Sequence, residues 1–159
     1  MSVMLTACEQ EWTLAERTPG IRKAFSAWCR MRARAALYEQ RADMPQEMFR
    51  ESLELLDAAI AAHSYDWRSP ARDADRHGKG MLRLLQDTDG QVKILQLFLQ
   101  PAHGDVPEDK VLDIMEADGV AVGRALREAM GMDPNPPTPA PNTASGTDSK
   151  TASQTTTAT

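Results

Sequence analysis

The sequence predicts an all-α fold: a small bundle of about five to six helices built on an N-terminal helical hairpin, with a disordered C-terminal tail. Apolar residues recur at three- and four-residue spacing in successive segments between residues 18 and 131. Side chains that cap helices stand just before Pro at two of the predicted starts. Residues 132–159 contain almost no large apolar side chain. We therefore divide the chain into an N-terminal flap (1–17), a helical domain (18–131) and a Pro/Thr/Ser-rich tail (132–159).

The flap is ambiguous in secondary structure. Residues 11–14 fit either a short strand or a turn of helix, and Trp12 and Leu14 are expected to tuck against the core. The segment Leu5-Thr6-Ala7-Cys8 is similar to a lipoprotein cleavage box. The four residues before it contain no Lys or Arg and no long apolar run, so we expect neither lipidation nor a signal peptide. We expect a cytoplasmic protein with no membrane contact.

The first helix is predicted from Thr18 to Ala42. Thr18 is the expected N-cap, and Pro19 occupies the first helical position, where its missing N–H costs nothing. The predicted apolar stripe comprises Ala24, Trp28, Met31, Ala35, Tyr38 and Ala42, widened by Ile21 and Phe25. The opposite face is basic.

The second helix is predicted from Pro45 to Ala62. Asp43 is the expected cap, with Gln46 three residues later in capping-box spacing. Its apolar stripe is Phe49, Leu53, Leu56 and Ile60, and its acids are Glu47, Glu51, Glu54 and Asp57. A basic helix followed by an acidic helix predicts an antiparallel helical hairpin with complementary faces.

A loop follows at residues 63–68, in which Tyr65 and Trp67 are expected to anchor on the hairpin. Ser69-Pro70 repeats the cap-plus-Pro start and predicts a short helix to His77. Residues 81–85 predict another short apolar turn or two.

The segment after Asp87 is the most apolar of the chain, which predicts a central helix, and Pro101 is expected to end it. The last helical region begins at Pro107, and Gly119 is expected to divide it in two. Its inward-facing residues are predicted to be Val111, Leu112, Ile114, Met115, Val122, Leu126, Ala129 and Met130.

Several polar clusters contain residue types that occur in chemical sites. Residues 73–77 contain two Asp and a His but lack a second ligand cluster, and residues 87–90 lack the later Glu of a calcium loop. Gly78-Lys79-Gly80 lacks the order of a phosphate-binding loop and is read as a flexible joint. We therefore predict no metal site, no cofactor and no catalytic residues. An enzyme would require His63, His77 or His103 to converge with carboxylates.

The two cysteines, Cys8 and Cys29, are too few for a disulfide framework and are expected to be reduced. Arginines follow Cys29 in the sequence and would lower the pKa of its thiol. With no His nearby in sequence, an inert thiol inside the first helix is the favoured interpretation.

The basic face of the first helix is the candidate partner-binding site: Arg22, Lys23, Arg30, Arg34 and Arg41. One interpretation is contact with nucleic acid or with an acidic partner. The other is a solvated face that neutralises the acidic second helix. A formal net charge of −5 argues against a general polyanion binder.

One ordering of motifs resembles a known family. It runs through Trp12-Thr13-Leu14, Thr18-Pro19-Gly20, a helix with Phe25 and Trp28, Tyr65-Asp66-Trp67 with Ser69-Pro70, and His103-Gly104-Asp105-Val106 before an acidic helix start. Over roughly residues 11–130 the chain resembles the small helical tail-assembly chaperones of tailed bacteriophages.

That resemblance implies a non-enzymatic protein in the host cytoplasm. Its partner would be the long, helix-rich tape-measure protein, kept soluble until tail-tube subunits polymerise around it. No residue of the family carries over to a numbered position here. The alternative is a small nucleic-acid-binding or regulatory protein that uses the basic first helix.

Overall fold

The structure, a computed structural model, describes residues 2–68 and 78–131. The all-α class is confirmed, because six helices and only two short strands form in this part of the chain. A 3-10 turn (Arg41–Asp43) joins α1 to α2. The predicted helix after Ser69 and the predicted disordered tail lie outside the described residues. The elements are β1 (Val3–Ala7), β2 (Gln10–Leu14), α1 (Pro19–Glu39), α2 (Gln46–Ala61), α3 (Lys79–Leu84), α4 (Thr88–His103), α5 (Glu108–Ala117) and α6 (Gly119–Ala129).

The N-terminal segment is a β-hairpin, which decides between the two alternatives in favour of the strand. β1 and β2 pair antiparallel, with Leu5 opposite Trp12. Trp12 and Leu14 are buried, as predicted. The two residues of the turn, Cys8 and Glu9, both have positive φ, as the tight turn of a two-residue hairpin requires. The β-hairpin packs on α4 and α6 and so shares their core.

Helix α4 lies at the centre of the fold, as its apolar composition predicts. It packs against β2, α1, α3 and α5, and it buries Val92, Ile94, Leu95, Phe98 and Leu99. The predicted end at Pro101 is wrong, because the helix continues to His103 and ends at Gly104, whose φ is 69°. Pro101 stands in the last turn and removes one hydrogen bond there, and the N–H of Gly104 still donates to the carbonyl of Gln100 at 2.9 Å.

The start of α1 is confirmed, since Thr18 Oγ1 accepts the N–H of Ile21 at 3.2 Å. The predicted capping box of α2 is wrong. Asp43 lies in the 3-10 turn, and Pro45 occupies the cap position without a side-chain hydrogen bond to the helix.

The inward face of α1 is rotated from the predicted one. Its buried residues are Ile21, Phe25, Ser26 and Cys29. Of the predicted stripe, Ile21 and Phe25 are buried, which confirms that part, and Trp28 is half-buried. The other residues of the stripe are exposed: Ala24, Met31, Ala35, Tyr38 and Ala42. Ser26 is buried because its hydroxyl donates to the carbonyl of Arg22 and accepts the N–H of Trp67, each at 2.8 Å.

Trp67 fixes the loop after α2 to the core, as predicted. Its ring lies edge-on to Phe25 at 6.2 Å between centroids and is tilted against Phe98 at 6.3 Å. Aromatic pairs in this range add to the free energy gained by burial. The loop therefore joins α1 to α4 through one side chain.

The division of the last helical region at Gly119 is confirmed. Asp118 has non-helical backbone angles (φ −156°, ψ 81°), and its Oδ1 accepts the N–H of Ala121 at 2.9 Å. Of the residues predicted to face inward, Leu112 and Met115 are half-buried. The others are buried: Val111, Ile114, Val122, Leu126, Ala129 and Met130.

Candidate protein-docking surface

Helix α2 contributes no buried residue to the fold. Its predicted apolar stripe is only half-buried, and Met48 and Leu55 on its flank are 53 % and 73 % exposed. In the described part of the chain, α1 is the helix against which α2 packs extensively. Tyr38 and Phe49 meet there edge to face, with ring centroids 5.3 Å apart. The helical hairpin thus leaves apolar surface on α2 uncovered.

Helix α1 carries a second apolar face on its outer side. We call Ala24, Met31, Ala35 and Tyr38 the outer stripe, and all four are exposed. Met31 is 62 % exposed and Tyr38 is 51 % exposed. The steps between these residues are seven, four and three, which is the spacing of a coiled-coil seam. Since the inward face is apolar too, α1 is apolar on two sides, a pattern expected of a helix with neighbours on both.

The five cations of the candidate partner-binding site fall into three environments. Arg30 forms an ion pair with Asp66, and Arg34 forms one with Asp57 at 3.0 Å. The guanidinium of Arg41 lies over the ring of Phe49, 5.3 Å from its centroid.

Arg22 and Lys23 differ from those three cations. Among residues 2–68 and 78–131, neither forms an ion pair. Arg22 is half-buried and Lys23 is exposed. By helical spacing, Lys23 lies on one edge of α1 together with Arg30 and Arg34, whereas Arg22 points to another side. Arg41 follows in the 3-10 turn after the helix.

This basic edge, defined as Lys23, Arg30, Arg34 and Arg41, runs beside the outer stripe. The pairing of Arg34 with Asp57 is the complementary contact that the sequence predicted between the two helices. Exposed pairs of this kind each contribute only ~0.2–1 kcal/mol, so they are easily exchanged for other partners.

Where the structure describes them, the polar residues considered as metal or catalytic sites make contacts that stabilise the fold. His63 Nδ1 lies 2.7 Å from a carboxylate oxygen of Asp66. His103 Nε2 accepts the N–H of Thr13 at 2.8 Å. The two histidines thus have separate partners, and His77 lies outside the described residues. Asp89 pairs with Arg32 at 3.1 Å. No group of three or more potential metal ligands occurs in the described ranges.

Gly78 and Gly80 are explained by close packing. A Cβ atom at Gly78 would lie 2.0 Å from the carbonyl oxygen of Ser64, and one at Gly80 would lie 2.7 Å from the ring of Tyr65. Both are glycines because the loop after α2 crosses them closely.

We expect the thiol of Cys29 to be inert because it is buried. Burial raises its pKa from the ordinary 9.0 to about 12, and Asp66 also raises it, while Arg30 acts in the opposite direction. The arginine effect expected from sequence is therefore present but is outweighed by desolvation.

We expect one of the two thiols to react in the native protein. Cys8 is exposed and Cys29 is buried and protonated at pH 8. A chromogenic disulfide reagent at pH 8 should release one equivalent within minutes, and two in denaturant. Cys8→Ser is the control and should show no rapid release. Two fast equivalents from the native chain would contradict the burial of Cys29.

An apolar concavity lies between α6, α4 and the end of α5. Its volume is about 310 Å³, and its walls include Ile94, Met115, Leu126 and Met130. Gly123 also lines it, and a Cβ atom there would meet no heavy atom within 4 Å. Neither its φ nor a close approach requires glycine at this position.

We expect Gly123→Ala to stabilise the protein by roughly 0.5–1 kcal/mol, because glycine inside a helix costs about that much relative to alanine. Urea unfolding followed by far-ultraviolet circular dichroism measures the change. A loss of stability would show that something contacts Gly123 in the folded chain.

No family model, curated protein or solved structure matches this chain. Within the parts of the chain that the structure describes, no helix is both long and apolar enough to cross a membrane.

Proposed function

We propose that this chain is a non-enzymatic assembly chaperone or adaptor that binds a helix-rich protein. A tape-measure protein of a tailed bacteriophage is the partner that the sequence resemblance implies, with the host cytoplasm as the compartment. One observation carries the proposal: α2 is a 16-residue amphipathic helix with no buried residue.

Helices in folded proteins are stabilised mainly by packing of their apolar face. The apolar face of α2 is half covered, by α1, and its flanking Met48 and Leu55 face solvent. Large apolar side chains exposed seven residues apart on one helix face, beside a half-covered stripe, are what we expect of a protein-interaction site. An amphipathic helix of a partner is a physically suitable occupant, since helices recognise apolar grooves through side chains spaced three and four residues apart.

The chemistry of the exposed residues suits an assembly chaperone. Met31 and Met48 are unbranched and polarisable, and they adapt to partners that differ in shape. Methionine-rich surfaces are used by proteins that bind several helical targets. A chaperone that covers successive helices of one long protein needs this tolerance.

Nucleic-acid binding through the basic helix is the alternative. Arg30 and Arg34 pair with acids of this chain, so a nucleic acid would have to displace Asp66 and Asp57 from them. If nucleic acid were the ligand, affinity would fall steeply with salt. Arg30→Glu combined with Arg34→Glu would then abolish binding while leaving the fold intact.

The test is a pull-down of the tagged protein from cells that also express its neighbouring genes. Bound proteins are identified by mass spectrometry and bound nucleic acid is quantified. The paired variant Met48→Glu with Leu55→Glu is compared with Met4→Glu, which alters an exposed methionine of β1. We expect a long helical protein at fixed stoichiometry with wild type and Met4→Glu, and at least tenfold less with the paired variant.

The chaperone activity is measured separately, as the soluble fraction of the captured protein with and without this chain. Recovery of nucleic acid alone, released at moderate salt, would overturn the proposal. So would a captured protein that is equally soluble without this chain.

A further inference from the structure

We propose that the outer stripe of α1 is a seam of two heptads that binds one helix of the partner in coiled-coil fashion, and that this helix carries Glu or Asp beside its apolar positions. The inference rests on the proposed function and names the surface and the chemistry of the partner. Tyr38 at the end of the stripe meets Phe49 of α2, but the packing of α1 against α2 and α4 does not account for the exposed side chains of Ala24, Met31 and Ala35.

The geometry of the seam fits a docked helix. From Ala24 to Tyr38 the helix rises about 21 Å, which is two heptads. Met31 and Tyr38 are the large exposed side chains, and they alternate along the stripe with Ala24 and Ala35. Alanines allow the backbone of a second helix to approach closely, and the larger residues fill spaces between its side chains.

The charges beside the seam select an acidic partner. Pro19–Glu39 contains five cations (Arg22, Lys23, Arg30, Arg32, Arg34) and one acid. That acid, Glu39, pairs with Arg32 at 3.3 Å and flanks the outer stripe on the side opposite the basic edge. The basic edge has one carboxylate of α2 beside it, Asp57, which bonds Arg34. Acidic residues flanking a partner's apolar stripe would meet Lys23 and Arg41, where no carboxylate bonds within the described ranges.

The same charges argue against a second copy of this chain as the occupant. Two α1 helices packed seam to seam would bring one basic edge against another. Charges flanking a coiled-coil seam set the choice of partner, and like charges disfavour self-pairing. A different, acidic helix is the better complement.

Two synthetic helices of three heptads test this proposal directly. Both carry Leu at the seam positions, one with Glu and one with Lys at the flanking positions, and each is used below its self-association concentration. Binding to the full chain is measured by fluorescence anisotropy. We expect the Glu peptide to bind at least tenfold more tightly than the Lys peptide, with affinity falling between 50 and 300 mM salt.

Two variants locate the site. Met31→Glu with Tyr38→Glu should weaken the Glu peptide at least tenfold, while Met4→Glu should not change it. Lys23→Glu with Arg34→Glu should reverse the preference, so that the Lys peptide binds more tightly. Circular dichroism verifies that each variant is folded.

Equal affinities for the two peptides, or no change with Met31→Glu and Tyr38→Glu, would overturn the proposal. So would sedimentation showing a dimer that these substitutions abolish. If neither peptide binds but the pull-down still captures a helical protein through α2, the seam is wrong and the proposed function stands. If the pull-down captures no protein, the proposed function itself fails.

Discussion

Replacing Phe98 by alanine is expected to lower the free energy of unfolding by about 3–5 kcal/mol. Phe98 is fully buried on the central helix α4, with its ring against Trp67. Its removal would leave a cavity where α1, α4 and the loop after α2 meet, and such sites close poorly around the gap. Urea unfolding monitored by circular dichroism measures the loss.

Tyr38→Ala is the matched control for this prediction, because Tyr38 is a large aromatic residue that is 51 % exposed. This substitution should lower the free energy of unfolding by less than about 1 kcal/mol, because the side chain removed is already half exposed to solvent. If the two variants lost similar stability, the core would not be centred on α4.

Gly90→Ala is expected to destabilise the protein by about 3 kcal/mol. A Cβ atom at Gly90 would lie 1.9 Å from the carbonyl oxygen of Leu84 and 2.7 Å from its carbon. Both are backbone atoms at the end of α3, so relief requires α3 and α4 to separate. The same urea experiment measures the effect.

Gly123→Ala provides the comparison, because it makes the same chemical change in a helix where nothing lies within 4 Å. The two substitutions should have opposite signs. A change at Gly90 of less than about 0.5 kcal/mol would mean that α3 does not approach α4 as closely as the structure has it.

The fold class and most element starts were predictable, because their signals are local. Thr18 and Pro19 mark the beginning of α1, and Gly119 marks the division between α5 and α6. The central position of α4 follows from an apolar run that only a buried helix tolerates. Two helix boundaries were predicted wrongly. Pro101 lies in the last turn of α4, where it costs only one hydrogen bond, and Asp43 lies in a 3-10 turn and does not cap α2.

The inward face of α1 was not predictable from periodicity. Alanine fits either an inner or an outer face, and five alanines lie between Pro19 and Glu39. The buried set includes Ser26 and Cys29, which a count of large apolar residues ignores. Ser26 is buried because it bonds Trp67, a residue distant in sequence. Only tertiary contacts could identify that face.

The candidate site was predictable in its charge but not in its apolar component. Sequence located the cations of α1 and anticipated their neutralisation by α2, which Arg34 and Asp57 illustrate. It assigned Met31 and Tyr38 to the core because a periodic apolar stripe is usually buried. The sequence did indicate an exposed apolar face, because α1 carries apolar residues on more than one side.

The claim that the outer stripe of α1 docks a helix of the partner is tested most directly by oxidative footprinting of the purified complex. Mass spectrometry measures the oxidation rate of each methionine with and without the partner. Met31 lies in the outer stripe, Met4 is exposed on β1, and Met81 is buried and reports on unfolding. We predict strong protection of Met31, an unchanged rate at Met4 and slow oxidation of Met81 throughout. An unchanged rate at Met31 in a stoichiometric complex would contradict the claim.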